Sequence, residues 1–470
     1  MDCKKKNAQQ EDNLSYPLIP LDSWLSNSRN PEIKIAKRGE RYLLLEQLRK
    51  EVGNLAGLLL QRQEKRWALC FEDTSLFLVA LLAVLHTRNQ PIIPGNCLSG
   101  PLNDQQEHYD AVLTDMSLNL LKPQVKLPLS NNTLKTDVLL PLEQNASITL
   151  FTSGSTGQPK KIVKSLAAMN TEASWLASLL LKNTDFNQVQ ATVSHQHLYG
   201  LTFRLWLPLS LGISFDAKMK TYQEELAASI NPATLLITSP AFIKRIDLNL
   251  DTCPCAGLVS AGGLLPWEDA ERIRHWTGRA VTEIYGSTET GVLAWRHRKT
   301  ENSYWTPFCG VYFKPPYANK PGRVFSPLID DSEGYPVNDK LVFNESGQFL
   351  LLGRLDRTVK IEEKRISLDE VEQRLKKLPQ VADAAVVVLE KHQRTRLGAV
   401  LVLTYEGVTQ KSRLTTGRFT AQLREALHGW VEPVAIPKNW RIVEKLPLNS
   451  MGKLSQPLLK ELFNHAANKD

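Results

Sequence analysis

Short apolar runs alternate with longer helix-like stretches over residues 41–150. The runs "WALCF", "PIIP" and "YDAVLTD" are interleaved with "YLLLEQLRKEVGNLAGLLLQ" and "LFLVALLAVLH". Strands and helices that alternate in this way form a mostly parallel sheet covered by helices. The pattern therefore predicts an α/β fold for this part of the chain.

The alternation continues in "TLLITSPAFIKRI", "AGLVSAGGLLP" and "AVTEIYGSTETG", where strand-like runs pass directly into loops rich in Gly, Ser and Thr. Loops at the carboxyl ends of parallel strands are where α/β proteins bind ligands. These loops are therefore the first candidates for a functional site.

From about residue 320 the pattern becomes more β-like, and "NESG" predicts a turn between two short strands. After Asp356 the sequence predicts a charged strand, the helix "SLDEVEQRLKKL", the strands "DAAVVVLE" and "GAVLVLTY", and the helix "TAQLREALHGW". We therefore predict a large N-terminal domain, residues 1–355, and a small α+β domain, residues 356–470.

Composition and charge narrow the class of protein. A chain of 470 residues with 42% hydrophobic residues exceeds the roughly 250 to 300 residues that a single core supports. Its 57 basic and 49 acidic residues are interleaved and leave a net charge of +8. Three basic patches, "RQEKR", "RIRHWTGR" and "WRHRK", are compatible with binding to an acidic protein partner or to nucleic acid. No aromatic-rich binding module stands beside them, so we expect no nucleic-acid partner.

The cysteines and the ends of the chain bear on its compartment. Six scattered cysteines argue against a disulfide framework and suit a reducing compartment. The pair in "CPC", Cys253 and Cys255, is expected to be two buried thiols rather than part of a zinc site. The longest apolar run, "LFLVALLAVL", is shorter than the roughly 20 residues of a membrane span, and no secretory signal is expected at the start. We expect a cytoplasmic protein without a membrane span.

The stretch "FTSGSTGQPKKIVKS", residues 151–165, has the composition of a phosphate-binding loop. Its glycines allow backbone N–H groups to approach a polyphosphate, and its hydroxyls and lysines add donors and charge. It does not match the Walker loop, because Gln158 and Pro159 separate the second glycine from the lysine. An ordinary flexible Ser/Gly turn is the alternative for this loop taken alone.

A second loop, "EIYGSTETG", residues 283–291, combines an aromatic ring, a hydroxyl and a carboxylate. Tyr285 can stack on a base, Thr288 can donate to phosphate and Glu289 can bind Mg²⁺, which takes few protein carboxylates when it also binds phosphates. Taken alone, this composition is common among loops.

Together the motifs resemble those of the adenylate-forming superfamily, which contains acyl-CoA synthetases, adenylation domains and luciferases. "FTSGSTGQPKK" resembles the phosphate loop of that family, "SHQHLYG" its His/aromatic segment, "SAGGLLP" its adenine-contacting turn and "IYGSTETG" its aromatic-Gly-x-Thr-Glu motif. "GRLDRTVKI" is similar to the interdomain hinge, and "LPLNSMGKL" to the C-terminal lysine loop. The ordered set spans residues 148–454.

The resemblance implies a large adenylation domain with mostly parallel sheets and a small mobile α+β domain that rotates about Asp356. It also implies a role for individual residues, as follows. The residues expected to contact the phosphates of ATP are Thr152, Ser153, Gly154, Ser155, Thr156, Gly157 and Lys160. Those expected around the adenine are Gly262, Gly263, Tyr285 and Gly286, with Asp339 at the ribose and Arg354 near the nucleotide. Thr288 is expected to contact the α-phosphate, and Glu289 to bind Mg²⁺.

Two more residues complete this expectation. Lys453 would bridge the carboxylate of the acid and the α-phosphate, where a fixed cation stabilises the developing negative charge. His197 would gate the acyl pocket. Each of these residues also has an alternative interpretation. Lys453 is then an ordinary solvated lysine, His197 a packed or surface histidine, and Asp339 an aspartate of a turn. Phe203, Trp206 and Trp295 are either pocket or core aromatics.

The sequence departs from the family pattern at two places. The segment between "IYGSTETG" and "GRLDR" is short, which predicts a trimmed third part of the large domain. Glu362 and Glu363 stand where the family has a basic residue and a glycine beside the pantetheine channel. A carboxylate there would repel the phosphate-bearing arm of CoA. The segment "EKR" resembles that of stand-alone ligases of aryl-polyene and fatty-acid-like pathways, which favours an acyl carrier protein as the acceptor.

The resemblance therefore implies an AMP-forming acid–thiol ligase that uses ATP and Mg²⁺. It would activate a small aryl or fatty carboxylic acid to an acyl-adenylate with release of pyrophosphate, and pass the acyl group to phosphopantetheine on an acyl carrier protein or CoA. The alternative is a nucleotide-binding relative that has lost the thioester-forming step or the whole activity.

Overall fold

The computed structural model describes residues 18–95, 97–129, 139–153, 159–182, 184–315, 322–354, 357–361, 364–391, 394–428, 430–431, 433–448 and 454–464. Among them, one compact unit contains the residues up to Lys314 together with Val324–Tyr335. A second unit contains Pro315, Gly322, Arg323 and the residues from Pro336 onward. The predicted domain boundary at Asp356 lies outside the described residues and stays a prediction.

The described strands up to Val337 are, in chain order, β1 (Lys34–Arg38), β2 (Arg41–Leu44), β3 (Arg66–Cys70), β4 (Gln90–Ile93), β5 (Ala111–Thr114), β6 (Gln124–Lys126), β7 (Ser147–Ser153), β8 (Pro159–Ser165), β9 (Gln188–Ala191), β10 (Ser214–Asp216), β11 (Thr234–Thr238), β12 (Gly257–Ala261), β13 (Thr282–Ser287), β14 (Gly291–His297), β15 (Thr306–Pro307), β16 (Tyr312–Lys314), β17 (Gly322–Phe325) and β18 (Tyr335–Val337).

The helices of the first unit are α1 (Leu45–Leu60), α2 (Thr74–His86), α3 (Ser99–Asp104), α4 (Leu166–Leu181), α5 (Leu198–Gly200), α6 (Leu207–Leu211), α7 (Gln223–Ser229), α8 (Pro240–Ile243) and α9 (Trp267–Thr277). Short 3₁₀ helices span Leu21–Ser23 and Gln106–His108, and a π-helix spans Leu201–Trp206.

A six-stranded sheet has the order β6-β5-β3-β4-β7-β8. Its strand pairs are parallel except for the antiparallel pair β7–β8. Helix α2 contains the long apolar run and is buried along almost its whole length. Asp73 caps the start of this helix by accepting hydrogen bonds from the N–H groups of Ser75 and Leu76. The run is therefore a buried helix, as the sequence predicts.

A nine-stranded sheet has the order β15-β14-β13-β12-β11-β9-β10-β1-β2. Its central pairs are parallel, and antiparallel strands form both edges. Cys253 and Cys255 are buried in a core against this sheet, as the sequence predicts. The two sheets, with helices between their strands, confirm the predicted α/β class with mostly parallel sheets.

The remaining elements are strands β19 (Asp339–Phe343), β20 (Phe349–Arg354), β21 (Thr358–Ile361), β22 (Lys364–Ser367), β23 (Val381–Lys391), β24 (Arg394–Leu403) and β25 (Asn439–Ile442), helices α10 (Leu368–Lys376), α11 (Tyr405–Ser412), α12 (Thr416–Leu427) and α13 (Gln456–Asn464), and a 3₁₀ helix at Pro433–Ala435. The sheet β23-β24-β25 packs against α10 and α12 around Leu375, Leu401 and Leu423. This unit is α+β, as predicted.

The described residues that follow the nine-stranded sheet, up to Arg354, form short strands. A three-stranded sheet has the order β16-β17-β18, and β19 pairs with β20 across the predicted turn at Asn344–Gly347. Asn344 accepts hydrogen bonds from the N–H groups of Ser346 and Gln348, which closes that turn. Within the described residues, no helix combines the length and the apolar character that crossing a membrane requires.

Candidate active site

Lys160 of strand β8 contacts the carboxylate of Glu289, so the two predicted ATP loops meet. The Lys160 ammonium lies 3.3 Å from Oε1 of Glu289 and donates a 2.8 Å hydrogen bond to the hydroxyl of Tyr335. Strand β8 belongs to one sheet and Glu289 to the β13–β14 turn of the other. This lysine therefore links the first candidate loop to the second across the two sheets of the first unit.

The turn between β13 and β14 is held by hydrogen bonds of its own. The N–H of Ser287 donates to Oγ1 of Thr290, at 3.1 Å, and the N–H of Thr290 donates to Oγ of Ser287, at 3.2 Å. Thr288 and Glu289 lie between these residues and are half-buried. The turn therefore presents a hydroxyl and a carboxylate from a fixed backbone.

Charges of opposite sign shift the pKa values of this pair. The hydrogen bond to Tyr335, followed by the charge of Glu289, raises the pKa of Lys160 above its ordinary range. Burial opposes ionisation of Glu289, but its own backbone N–H, the Lys160 ammonium and the Ser287 hydroxyl outweigh burial and lower its pKa. Both groups are therefore charged near neutral pH, which suits the binding of phosphate and of a cation.

The predicted adenine residues lie at neighbouring strand ends. Strands β12 and β13 are parallel and pair Ala261 with Ile284, so Gly262 and Gly263 leave the sheet beside Tyr285. Both glycines and Gly286 are exposed. The ring of Tyr285 lies 5.8 Å from that of Trp305 in a tilted arrangement. The carboxyl ends of these two strands therefore bring together the residues expected around adenine.

The phosphate loop is only partly described. Thr152 is half-buried on β7 and pairs with Lys160 of β8, while Ser153 is described by its backbone alone. The predicted residues Gly154, Ser155, Thr156 and Gly157 lie outside the described residues. Their expected contacts with phosphate stay predictions.

The His/aromatic segment precedes the π-helix Leu201–Trp206. His197 is half-buried and stands directly before α5. The hydroxyl of Tyr199 donates to the backbone oxygens of Thr238 and Val259, at 2.9 and 3.2 Å, so this segment is anchored to strands β11 and β12. Phe203 and Trp206 are almost fully buried, which makes both core residues, whereas Trp295 is half-buried.

The C-terminal unit contains two further predicted residues. Asp339 begins β19 and stands opposite Arg354 of β20, so the residues expected near the ribose and the nucleotide are neighbours across one hairpin. The side chain of Arg354 is not described. Lys453, the hinge Asp356 and the pair Glu362 and Glu363 also lie outside the described residues, and the roles expected of them stay predictions.

The donor set agrees with a magnesium ion that is bound mainly by phosphates. Within the described ranges, no group of three or more His, Cys, Asp or Glu side chains is placed to bind a metal. Mg²⁺ in nucleotide sites uses one or two carboxylates together with substrate phosphates. The single ionised carboxylate of Glu289, beside the cation of Lys160, fits that requirement.

Sequence reasoning missed several residues around this site. Tyr335 contacts Lys160, and the buried pair of Lys164 and Glu172 lies beneath the β13–β14 turn. The only signal for Lys164 was the strand period of two, which places it on the same face of β8 as Lys160. Tyr335 lies outside the quoted motifs, and Glu172 follows shortly after the first of them; neither carried a signal.

The interpretation of "WRHRK" as a surface patch is wrong for two of its cations. Arg296 and Arg298 are buried, and both contact the buried carboxylate of Glu283, at 2.9 and 2.8 Å. These arginines stand two positions apart on and just beyond β14, so both point to the same face of the sheet. They are therefore not available to an acidic partner or to nucleic acid.

Comparison with known families agrees with this geometry. Residues 102–334 match the model of the AMP-binding enzymes, and residues 370–453 match the model of the C-terminal domain of AMP-binding enzymes. Together the two matches extend over more than half of the chain and include the segments of the phosphate loop and of "IYGSTETG".

Two relatives by sequence are ligases. The chain is 27% identical over 317 residues to 4-coumarate–CoA ligase of Halorhodospira halophila, a match that covers 66% of this chain and 75% of the relative. It is 26% identical over 355 residues to D-alanine–D-alanyl carrier protein ligase of Staphylococcus epidermidis, covering 67% and 71%.

A solved structure shows the same fold. O-succinylbenzoate coenzyme A synthetase from Bacillus subtilis, solved in complex with AMP, superposes with a TM-score of 0.78 at 18% identity, covering 93% of this chain and 98% of the other. The chain belongs to the AMP-binding family of adenylate-forming enzymes, which use ATP, and this confirms the prediction of an AMP-forming acid–thiol ligase.

Proposed function

We propose that the protein activates a small aryl or fatty carboxylic acid with ATP, forming an acyl-adenylate and pyrophosphate, and then passes the acyl group to a phosphopantetheine thiol. The observation that carries the proposal is the contact of Lys160 with Glu289, since it joins a candidate phosphate-binding cation to a candidate metal ligand. The named activities of the two sequence relatives support this class of reaction. They do not favour a relative that has lost its activity.

In this proposal each residue has a simple electrostatic task. Lys160 neutralises the phosphates that leave as pyrophosphate, and Thr288 donates a hydrogen bond to the α-phosphate. Fixed donors and cations stabilise the charge that develops when one anion attacks another. Glu289 would bind Mg²⁺, which polarises the phosphate oxygens when it is bound. Lys453 would contact both the acid carboxylate and the α-phosphate.

The test is the exchange of labelled pyrophosphate into ATP, with and without a carboxylic acid. A panel of benzoate, 4-coumarate, fatty acids of several lengths and D-alanine covers aryl, fatty and amino acids. We expect exchange with an aryl or a fatty acid. If the protein binds ATP but none of these acids supports pyrophosphate exchange, the proposed function is wrong.

Lys453→Ala tests the expected catalytic lysine, and Lys445→Ala is its matched control, because Lys445 is an exposed lysine shortly before it. We expect exchange to be lost in the first variant and kept in the second. Exchange that persists in Lys453→Ala removes the role assigned to Lys453.

The acceptor is tested separately, once an acid has been found. We propose an acyl carrier protein, because Glu362 and Glu363 replace a basic residue and a glycine of the family pattern. Incubation with CoA and with phosphopantetheine-bearing carrier protein, followed by mass spectrometry, distinguishes the two. Acylation of CoA at a higher rate than of the carrier protein contradicts the proposed acceptor.

A further inference from the structure

Two oppositely charged side chains are buried beneath the turn that carries Thr288 and Glu289. Lys164 of β8 is 5% exposed, and Glu172 of α4 is 4% exposed. Burying an ion is costly unless it is paired and hydrogen-bonded, so the contacts of these two residues indicate what they do.

Lys164 holds the backbone of Glu289. Its ammonium donates a 2.8 Å hydrogen bond to the main-chain oxygen of that residue. Lys160 and Lys164 are four positions apart on one strand and therefore lie on the same face. Strand β8 thus contacts Glu289 at two points: Lys160 at its carboxylate, at 3.3 Å, and Lys164 at its carbonyl.

Glu172 holds the other side of the same turn. Its Oε1 accepts a 2.8 Å hydrogen bond from the N–H of Val292, directly after Gly291. Its Oε2 accepts a 3.1 Å hydrogen bond from the hydroxyl of Thr202, in the π-helix that follows the His/aromatic segment. Single-turn π-helices occur frequently at functional sites. Glu172 is therefore fixed at both oxygens.

Burial lowers the pKa of Lys164 and raises the pKa of Glu172. The charges of Glu172, Asp330 and Glu289 oppose this effect at Lys164, and the Val292 N–H and the charge of Lys164 oppose it at Glu172. Buried charged groups often stabilise a fold no more than apolar residues of similar volume, so packing alone does not account for these two side chains. The hydrogen bonds to the backbone of Glu289 and Val292 explain why the two charged side chains are buried here.

We propose that Lys164 and Glu172 are positioning residues, which hold Glu289 where it binds Mg²⁺ and Thr288 where it contacts the α-phosphate. This inference rests on the proposed function, since it concerns the same nucleotide site. Both residues are buried and act through the backbone on either side of Glu289.

The test is the affinity of the full chain for ATP by titration calorimetry, with Mg²⁺ and with EDTA, which needs no knowledge of the acid. Lys164→Met removes the hydrogen bond to Glu289 and keeps most of the side-chain volume. Glu172→Gln keeps an acceptor for the N–H of Val292 but removes one of the negative charges that act on Lys164. Lys161→Met is the matched control, because Lys161 is an exposed lysine of the same strand.

We expect Lys164→Met and Glu172→Gln to weaken MgATP binding by about ten-fold, with a change of less than about three-fold when EDTA removes the metal. Glu289→Gln, which removes the metal ligand itself, should show the same selective loss. Lys161→Met should bind like the wild type.

Four outcomes are distinguished. If both variants bind MgATP like the wild type while Glu289→Gln does not, the inference is wrong. If their melting temperatures fall but the ratio of affinities with and without Mg²⁺ is unchanged, the pair is only structural, and the inference is again wrong. If Lys164→Met does not fold, Glu172→Gln decides alone. A wild-type chain that does not bind MgATP overturns the proposed function instead.

Discussion

At the scale of single residues, neighbouring lysines of strand β8 have three different environments. Lys160 contacts Glu289 and Tyr335, Lys161 is exposed, and Lys164 is buried. Strand geometry separates Lys161 from the other two, because successive side chains point to opposite faces. The rest of the difference comes from residues far away in the sequence. A cation in a motif therefore acquires its role from the elements packed against it.

Lys160→Met tests the role of the half-exposed lysine. We expect the KM for MgATP to rise about ten-fold, because a charge-assisted hydrogen bond contributes about 1.5 to 3 kcal/mol. The melting temperature should hardly change, since exposed ion pairs contribute little to stability. Pyrophosphate exchange gives the KM, and Lys161→Met is the control. An unchanged KM would remove Lys160 from the phosphate site.

Glu283 illustrates the opposite case, a buried carboxylate whose removal should affect stability. Glu283→Gln leaves the buried guanidiniums of Arg296 and Arg298 without a countercharge. Breaking such a buried pair costs about 3 to 5 kcal/mol. Urea denaturation should show this loss, whereas Lys218→Met, at an exposed ion pair with Glu225, should leave the free energy of unfolding almost unchanged. Equal effects of the two changes would contradict the assignment.

At the scale of elements, the β13–β14 hairpin depends on one glycine. The pairing of the two strands shifts between Tyr285 and Gly286, which is a β-bulge. A Cβ atom at Gly286 would lie 2.2 Å from the backbone oxygen of Gly291, a distance that no packing adjustment of a side chain can relieve. The hairpin that presents Thr288 and Glu289 therefore requires glycine at this position.

Gly286→Ala tests this requirement. We expect a loss of more than about 2 kcal/mol in the free energy of unfolding, because the strands must separate locally, and a loss of MgATP affinity. Gly278→Ala is the control: it ends helix α9 with a φ of 72° and nothing within 4 Å of the added atom, so it should cost only about 1 kcal/mol. Denaturation and calorimetry measure the two effects. Normal MgATP binding by Gly286→Ala would show that the bulge tolerates a side chain.

At the scale of the whole molecule, two buried histidines and a half-buried one link stability to pH. Burial lowers the pKa of His86, His195 and His297 below the ordinary 6.5, most strongly for His195, which also lies near Arg204. The folded state therefore keeps these rings neutral where the unfolded chain begins to bind protons. Their contribution to stability is complete above pH 6.5 and is lost as the pH falls through the lowered values.

We expect the melting temperature to fall between pH 7.5 and 5.5, since each such histidine costs up to about 1.4 kcal/mol per pH unit below 6.5. His195→Gln should flatten this dependence whatever its effect at pH 7.5. Burial raises the pKa of Glu172, so the contribution of this residue to stability increases as the pH falls, opposite to that of the histidines. The comparison is therefore between the slopes of melting temperature against pH for the wild type and the variant, not between single melting temperatures. Parallel slopes would show that His195 is not responsible.

Much of the fold was predictable, because strand and helix periods are local properties. The alternation of apolar runs identified the helix at Thr74–His86 and strands β3, β4, β5, β11, β12 and β13, and "NESG" identified the turn at Asn344–Gly347. The π-helix Leu201–Trp206 and the burial of Arg296 and Arg298 carried no local signal. They depend on contacts with segments that are remote in the sequence.

For the candidate site, the sequence by itself determined the family and the order of the motifs, because glycines, hydroxyls, lysines and one carboxylate stand in a fixed order along the chain. The same residues predict where phosphate and metal bind. Only the tertiary structure decided that Lys160 contacts Glu289 and Tyr335, and that Lys164 and Glu172 support the turn from below. The physical reason is that these contacts join residues more than a hundred positions apart, whose distance is set by the packing of two sheets and a helix.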